Sequence, residues 1–412
     1  MNMKPGNFHL LILVLLGLGP LVSTGGFLGA QPTLQLDTVQ ERKGHPVIDI
    51  NMSSAVQDQV LSIRGKKLVI KDATLNLDGK RVTAEEIKLR GQSSLNYRRK
   101  SFTVDLEEET PLPFDHGPFS LKKFYLVSMN MDQHYFHNKL AYACLDKLDL
   151  FGLREGYVEV RLNNQTEGIY LMLQRPEDHL MDDLQARYYL RRGYKDSIDE
   201  DEADKSLSRE LVKACRQRFN EIFQGNHGLR GEDLYRYLSE RLDLQAYMRW
   251  MAFNYLVRNG DYSDEVYFYI LDPQESLRFK LIGWDYDDIF ASQPHEGQSA
   301  RSQWLDDQLI FSAEGGLDRR IGSDEYLYRR YLQELEYVLE TLDPEWLAQT
   351  CTGIFAQLSS FYRKNAIIRM AEYDRGKFTS KETLARALEQ TYTVDLLQRR
   401  AETLKQLEAM GI

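Results

Sequence analysis

A chain of 412 residues is longer than one typical core, so one large or two modest domains are expected. Its 42% hydrophobic and 28% charged residues make an ordinary globular balance, in which the 24 tyrosines are unusually many. A formal net charge of −10 excludes a general nucleic-acid binder, since phosphate contacts need surplus Lys and Arg, but leaves nucleotide binding open.

At the N-terminus, Lys4 precedes an apolar run from Leu10 to Val22, and small residues follow through Gly29 and Ala30. A basic start, a short apolar core and small exit residues form a secretory signal, with cleavage expected near residues 25–30. The run is short for a bilayer span and Pro20 breaks it, so membrane contact is expected only if the segment stays attached. Export to a periplasm or beyond is therefore expected. Cys144, Cys215 and Cys351 allow at most one bridge. Cys144 and Cys215 fall on apolar stripes of predicted helices, so buried thiols are expected.

From Val47 to Leu106 the alternation is that of strands, as in Ile48/Ile50, Leu75/Leu77, Ile87/Leu89 and Phe102/Val104/Leu106. The loop Arg90-Gly91-Gln92-Ser93-Ser94 joins two of these strands and can bring backbone amides and hydroxyls to a phosphate. Lys100 shares parity with Phe102 and Val104 and so points inward, where it needs a partner. A nucleotide phosphate is one candidate, and snorkelling to water is the other. A helix is predicted over about Tyr135–Leu148, then a hairpin of Tyr157–Leu162 and Gly168–Leu173 around Asn163-Asn164-Gln165-Thr166. His134 and His137 have the spacing of a helix-borne metal pair, but no third ligand is apparent, so a cap or surface role is preferred. The acidic, apolar-poor stretch from Asp196 to Lys205 reads as a surface loop and a boundary.

Beyond it the pattern turns helical. Leu207, Leu211, Cys215, Phe219 and Ile222 mark one helix, and Asp243 caps another through Leu256. Residues after 320 are nearly all helical, with Thr379 and Glu382 read as a capping box. The fold class is therefore α+β, with a strand-rich N-terminal half and a helix-rich C-terminal half. Three segments are expected: a signal at 1–30, an N-lobe at 31–195 and a helical C-lobe at 196–412.

The helix from Asp243 stops at Asn259-Gly260, where Gly suits a left-handed cap, and Asp261 and Asp264 follow. Two strands come next, Val266–Leu271 and Leu277–Trp284, and then Asp285, Asp287 and Asp288. An antiparallel hairpin brings the start of its first strand beside the end of its second, so both acidic clusters meet at one end. Clustered carboxylates repel unless a hard cation sits between them. The order of helix, acid, hairpin and second acid repeats the plan of protein kinases, without their H-R-D and D-F-G sequences. An acidic surface loop with satisfied caps is the bland alternative. No Walker A, dinucleotide or G-x-S-x-G motif occurs.

Leu89–Ser94 with Arg99-Lys100-Ser101-Phe102 resembles the R-G-x-S-S … K-K-S-Y element of the CotH (spore coat protein H) kinase family. Val158–Asn163 with Gly168-Ile169-Tyr170 resembles its V-x-V-Y-x-N-G … G-x-Y hairpin. Asn259-Gly260-Asp261 and Gly283-Trp284-Asp285-Tyr286-Asp287 resemble its helix-end Asp and W-D-x-D elements, in consistent order from Pro46 to Leu342. The resemblance implies an atypical, bilobal protein-kinase-like fold that uses ATP and Mg2+ or Mn2+ to phosphorylate a protein hydroxyl. Residue by residue it implies Asp261 as the catalytic acid and Asp285 and Asp287 as metal ligands. It assigns Lys100, Arg90, Ser93 and Ser94 to the nucleotide. Gln174 stands where a Glu partner of the Lys is usual, with Glu177 the nearby substitute. The implied partner is a protein substrate of the cell envelope. The alternative is a weak or inactive kinase-fold protein acting in envelope assembly or binding.

Overall fold

The computed structural model describes residues 32–34, 36, 44–71, 73–115, 117–132, 134–225, 228–371 and 380–412. The signal segment at 1–30 lies outside these residues. No helix among the described residues is long and apolar enough to cross a membrane.

Eight strands build the N-terminal half: β1 (Val47–Asn51), β2 (Val69–Ile70), β3 (Thr74–Leu77), β4 (Lys80–Arg90), β5 (Ser101–Phe114), β6 (Gly117–Val127), β7 (Glu155–Leu162) and β8 (Gln165–Gln174). Their order is β2-β4-β3-β1-β7-β8-β6-β5, and β5 also pairs with β4. That last pairing, which sets Leu89 beside Phe102, closes seven of the strands into a barrel with β2 appended. Only β1–β7 among these pairings is parallel. Closure removes the free edges that an open sheet would expose.

The hairpin of β7 and β8 serves as a shared wall. Val158, Val160, Tyr170 and Met172 point into the barrel core with Ile50, Leu89 and Phe102. Tyr157, Ile169, Leu171 and Leu173, on the other face, join a second and larger core with the helices. Both faces are buried, which is why Ile169–Leu173 of β8 reads as a continuous apolar run. Their turn has φ of +50° at Asn163 and +65° at Asn164, the two left-handed residues of a tight hairpin.

A second, antiparallel sheet has the order β10-β9-β11-β12, from β9 (Tyr188–Gly193), β10 (Ser197–Ala203), β11 (Val266–Ile270) and β12 (Lys280–Gly283). Here the expected surface loop at Asp196–Lys205 is corrected to the edge strand β10. An edge pairs on one side only, and partners hold its carboxylates. Asp201 accepts from Arg216 Nε at 2.8 Å and Tyr188 OH at 2.9 Å, while Glu200 accepts from Tyr267 OH at 3.0 Å. Tyrosines bury their rings and reach such carboxylates with their hydroxyls.

Helices Arg209–Phe223 and Leu244–Val257 form as the apolar periodicity predicts, and Asp243 accepts from Ala246 N as the cap. Beyond them run Glu325–Thr341, Pro344–Ser359, Lys381–Gln390 and Arg399–Met410. The last capping box is formed by Ser380 and Thr383, one residue beyond the expected pair, and Thr379 lies outside the described residues. The three cysteines are free and buried, as expected. The α+β content stands, but the bilobal division is not confirmed: residues Thr33–Ile412 cluster as one compact unit.

Asn163 accepts from Met52 N at 2.8 Å and donates to Gln57 at 2.9 Å, tying the β7–β8 turn to the helix Ser54–Ser62. Asn163→Ala, which loses both bonds and places Ala in the left-handed region, is expected to cost about 1–3 kcal/mol in urea unfolding.

Candidate active site

The helix Leu244–Val257 ends on Arg258, which takes the left-handed cap at φ +49°. That role was expected of Gly260. Gly260 instead gives room to a neighbour: a Cβ there would meet Asp288 Oδ2 at 2.3 Å, so that side chain would have to move. Next to it, buried Asn259 donates to Asn254 Oδ1 at 3.2 Å and accepts from the Asp261 N–H at 3.4 Å. Below the loop, Tyr247 and Tyr262 each donate to the fully buried Asp318 at 2.6 Å. Arg192, also fully buried, donates to Tyr247 OH at 2.9 Å and to the Ser263 carbonyl. Asp261 is thus delivered by a turn that buried hydrogen bonds anchor on its inner side.

The hairpin argument from sequence holds in register. Val266 pairs with Gly283, and Trp284 N donates to the Glu265 carbonyl at 3.0 Å. Asp285 follows at φ +43°, a conformation an Asp side chain tolerates better than a branched one. Asn138 fixes what comes after, accepting from Tyr286 N at 2.8 Å.

One cleft of about 450 Å³ is lined by Asp261, Asp264, Glu265, Asp285 and Asp287. Arg90, Ser93, Ser94, Arg191, Asn138 and Tyr194 also face it. A larger cavity of about 710 Å³ lies elsewhere, beside Lys139, Phe151 and Trp346, and holds none of these acids. Oxygens of Asp261, Asp264 and Glu265 lie within 4.8 Å of one another. Burial, then repulsion from Asp264, pushes the Asp261 carboxyl up to about 6. Burial likewise raises Asp285, with Arg90 and Arg191 opposing. Asp287 and Glu265 are pushed well above the carboxylate range by burial and then by Asp285. The cluster is short of positive charge, which is the environment a hard divalent cation relieves.

Of the residues singled out in the sequence, Asp261, Asp285, Asp287, Arg90, Ser93 and Ser94 are brought together. Gly91, at φ +96°, lets its loop fold so tightly that a Cβ would overlap Ser94 Oγ. Arg90 lies over the Tyr125 ring, 3.8 Å from its centroid. Lys100 is placed otherwise. It points inward as its parity requires, but its ammonium donates to the carbonyls of Ile63, Leu95 and Tyr97 at 2.6–2.7 Å. Three donors meet three acceptors, so no N–H is left for a phosphate. Gln174 is buried against Asp183 and the Arg154 N–H, and Glu177 accepts from Tyr125 OH at 2.9 Å. Neither meets Lys100. Glu177 instead holds the hydroxyl of the ring on which Arg90 rests. His134 and His137 pack edge to face, 5.2 Å between centroids, at the start of the helix His137–Lys147.

Sequence reasoning missed Arg191, Glu265 and Asn138 as parts of the site. Arg191 lies on β9 and donates to Glu265 at 3.0 Å, beside its cross-strand neighbour Tyr267. No local signal marks Arg191, because Tyr188, Leu190 and Arg192 take the other face of the strand and only the pairing of β9 with β11 brings Arg191 to the site.

The family model described as CotH kinase protein matches residues 87–402. Among solved structures, the proinflammatory kinase CtkA of Helicobacter pylori aligns over 74% of this chain and 94% of its own, at 9% identity and a TM-score of 0.32. The HipA–HipB toxin–antitoxin complex with operator DNA from Shewanella oneidensis MR-1 aligns over 92% and 70%, at 13% identity and a TM-score of 0.31. No curated protein matches.

Lys100→Met strands three carbonyls and is expected to cost about 2–4 kcal/mol in urea unfolding, a loss that a purely nucleotide-facing Lys would not produce. For Asp261, a folded value of about 6 lies above the ~3.9 of an unfolded Asp, so the folded state holds this proton more tightly. Its contribution to stability therefore falls as pH rises from about 4 to about 6. Glu155, at about 7, and Asp178, at about 6, act in the same sense. Melting temperature in EDTA is expected to fall over this window, with a shallower slope in Asp261→Asn.

Proposed function

The chain belongs to the CotH kinase protein family, and on that premise we propose that it transfers the γ-phosphate of ATP to a protein hydroxyl in a metal-dependent reaction. The observation that carries this reading is the convergence of Asp261, Asp285 and Asp287 with Arg90 in one cleft. The donor set fits Mg2+ or Mn2+, which favour carboxylate oxygens and complete their shells with water and phosphate. Asp285 and Asp287 would hold the cation, which when bound draws charge from the phosphate oxygens.

The remaining tasks fall to the chain's own groups. Arg90 and Arg191 offer guanidinium donors to phosphate, and the Ser93 and Ser94 hydroxyls add neutral ones. Tyr125 stacks under Arg90 and limits its rotamers. Asp261 orients the acceptor hydroxyl and takes its proton, a task suited to a carboxyl raised to about 6. The basic start and apolar run at Leu10–Val22 support export, and the acceptor proposed is accordingly an envelope protein in the periplasm or outside the cell.

A second reading has its own observation. Lys100 is saturated by carbonyls, and neither Gln174 nor Glu177 reaches it. The Lys–Glu pair of protein kinases therefore has no counterpart at these positions. A weak or inactive kinase-fold protein that acts by binding in the envelope would be built this way.

Incubation with γ-labelled ATP and Mn2+ or Mg2+ separates the two. Phosphoryl transfer predicts labelled protein, with Asp261→Asn and Asp285→Ala each lowering the rate by about 100-fold or more. Nucleotide binding without label in any protein favours the second reading, and no nucleotide binding sinks the first.

A further inference from the structure

His295 belongs to none of the sequence motifs, yet it stands between the two acidic loops. Its Nδ1 lies 3.1 Å from Asp261 Oδ1, and its Nε2 lies 3.1 Å from Asp288 Oδ2. The backbone adds two ties. His295 N donates to the Gly260 carbonyl at 3.2 Å, and Gly260 N donates to the Asp288 carbonyl at 3.0 Å. The turn that carries Asp261 is thereby fastened to the segment that follows Asp287.

The imidazole is 50% exposed and Asp261 46%, so as an ion pair the contact adds little to stability. Its consequence is for direction. Repulsion from Asp264 acts on the Asp261 carboxylate, and His295 opposes it. A carboxylate held by one oxygen keeps a single rotation about its last bond, while an untethered one turns freely. Placement of a catalytic group to within a fraction of an ångström is worth orders of magnitude in rate.

We propose that His295 is a positioning residue, which holds Asp261 Oδ1 against Asp288 and leaves the second oxygen to the acceptor hydroxyl. The proposal rests on the phosphoryl-transfer reading above. It makes Asp288 part of the same device, since the hydrogen bond between His295 Nε2 and Asp288 anchors the ring beside Asp261. The bare Cα of Gly260 leaves room for the Asp288 side chain that reaches the ring.

The test compares the full chain with His295→Ala and His295→Gln in Mn2+-dependent label transfer. The wild type and Asp261→Asn are also examined by 15N NMR of labelled histidine. His295→Ala is expected to lower kcat about 10-fold or more with KM for ATP within about twofold, and His295→Gln to recover part of the loss. The His295 ring signals are expected to shift in Asp261→Asn. A kcat for His295→Ala within twofold of wild type overturns the proposal. So does a loss of rate that merely follows a loss of folded protein by circular dichroism. If the wild type transfers no label, the phosphoryl-transfer reading fails instead. The ring signals then decide the positioning contact: a shift in Asp261→Asn supports it, and unmoved signals overturn it.

Discussion

Like charges repel, and the cleft gathers Asp261, Asp264, Glu265, Asp285 and Asp287 in one place. Each loses hydration on burial and gains a neighbour of its own sign, so the arrangement works against the fold. It persists because the surrounding structure over-determines it. The β11–β12 register fixes the two loops side by side, and Arg192, Tyr247, Tyr262 and Asp318 form a buried hydrogen-bonded network beneath one of them. Arg90 and Arg191 offset part of the charge on Asp285. Unfavourable electrostatics held in place by rigid elements is characteristic of sites that bind a cation or perform chemistry.

The barrel and the helices divide the work of building that cleft. The barrel contributes Arg90 and the Ser93–Ser94 turn, from the connection between β4 and β5. The helical part contributes Asp261 from a helix end, and the second sheet contributes Arg191. The β7–β8 hairpin, buried on both faces, joins the two cores and fixes the distance between the groups they carry.

What the sequence made legible is what local rules govern. The Asp243 cap, the helix to Val257 and the hairpin that follows all obey short-range periodicity, and from them the meeting of the acidic clusters could be derived. Arg191 was not legible, because β9 reaches the site by pairing with a strand more than seventy residues away. Barrel closure was hidden for the same reason: nothing in the alternation of β4 and β5 tells a closed sheet from an open one. Lys100 was read correctly as inward and in need of a partner, but neither phosphate nor water was the answer, since its partners are backbone carbonyls that leave no mark in the sequence. Acidic β10 was hidden by composition, its carboxylates being held by tyrosine hydroxyls from β9 and β11.

On the proposed reading, the acidic clusters meet in order to hold a divalent cation. The most direct measurement is anomalous diffraction from crystals grown with Mn2+ and a non-hydrolysable ATP analogue. An anomalous peak is expected in the cleft with Asp285 and Asp287 among its ligands, lost in Asp285→Ala crystals. An ordered cleft holding nucleotide but no such peak, or a peak unaffected by that substitution, would contradict it.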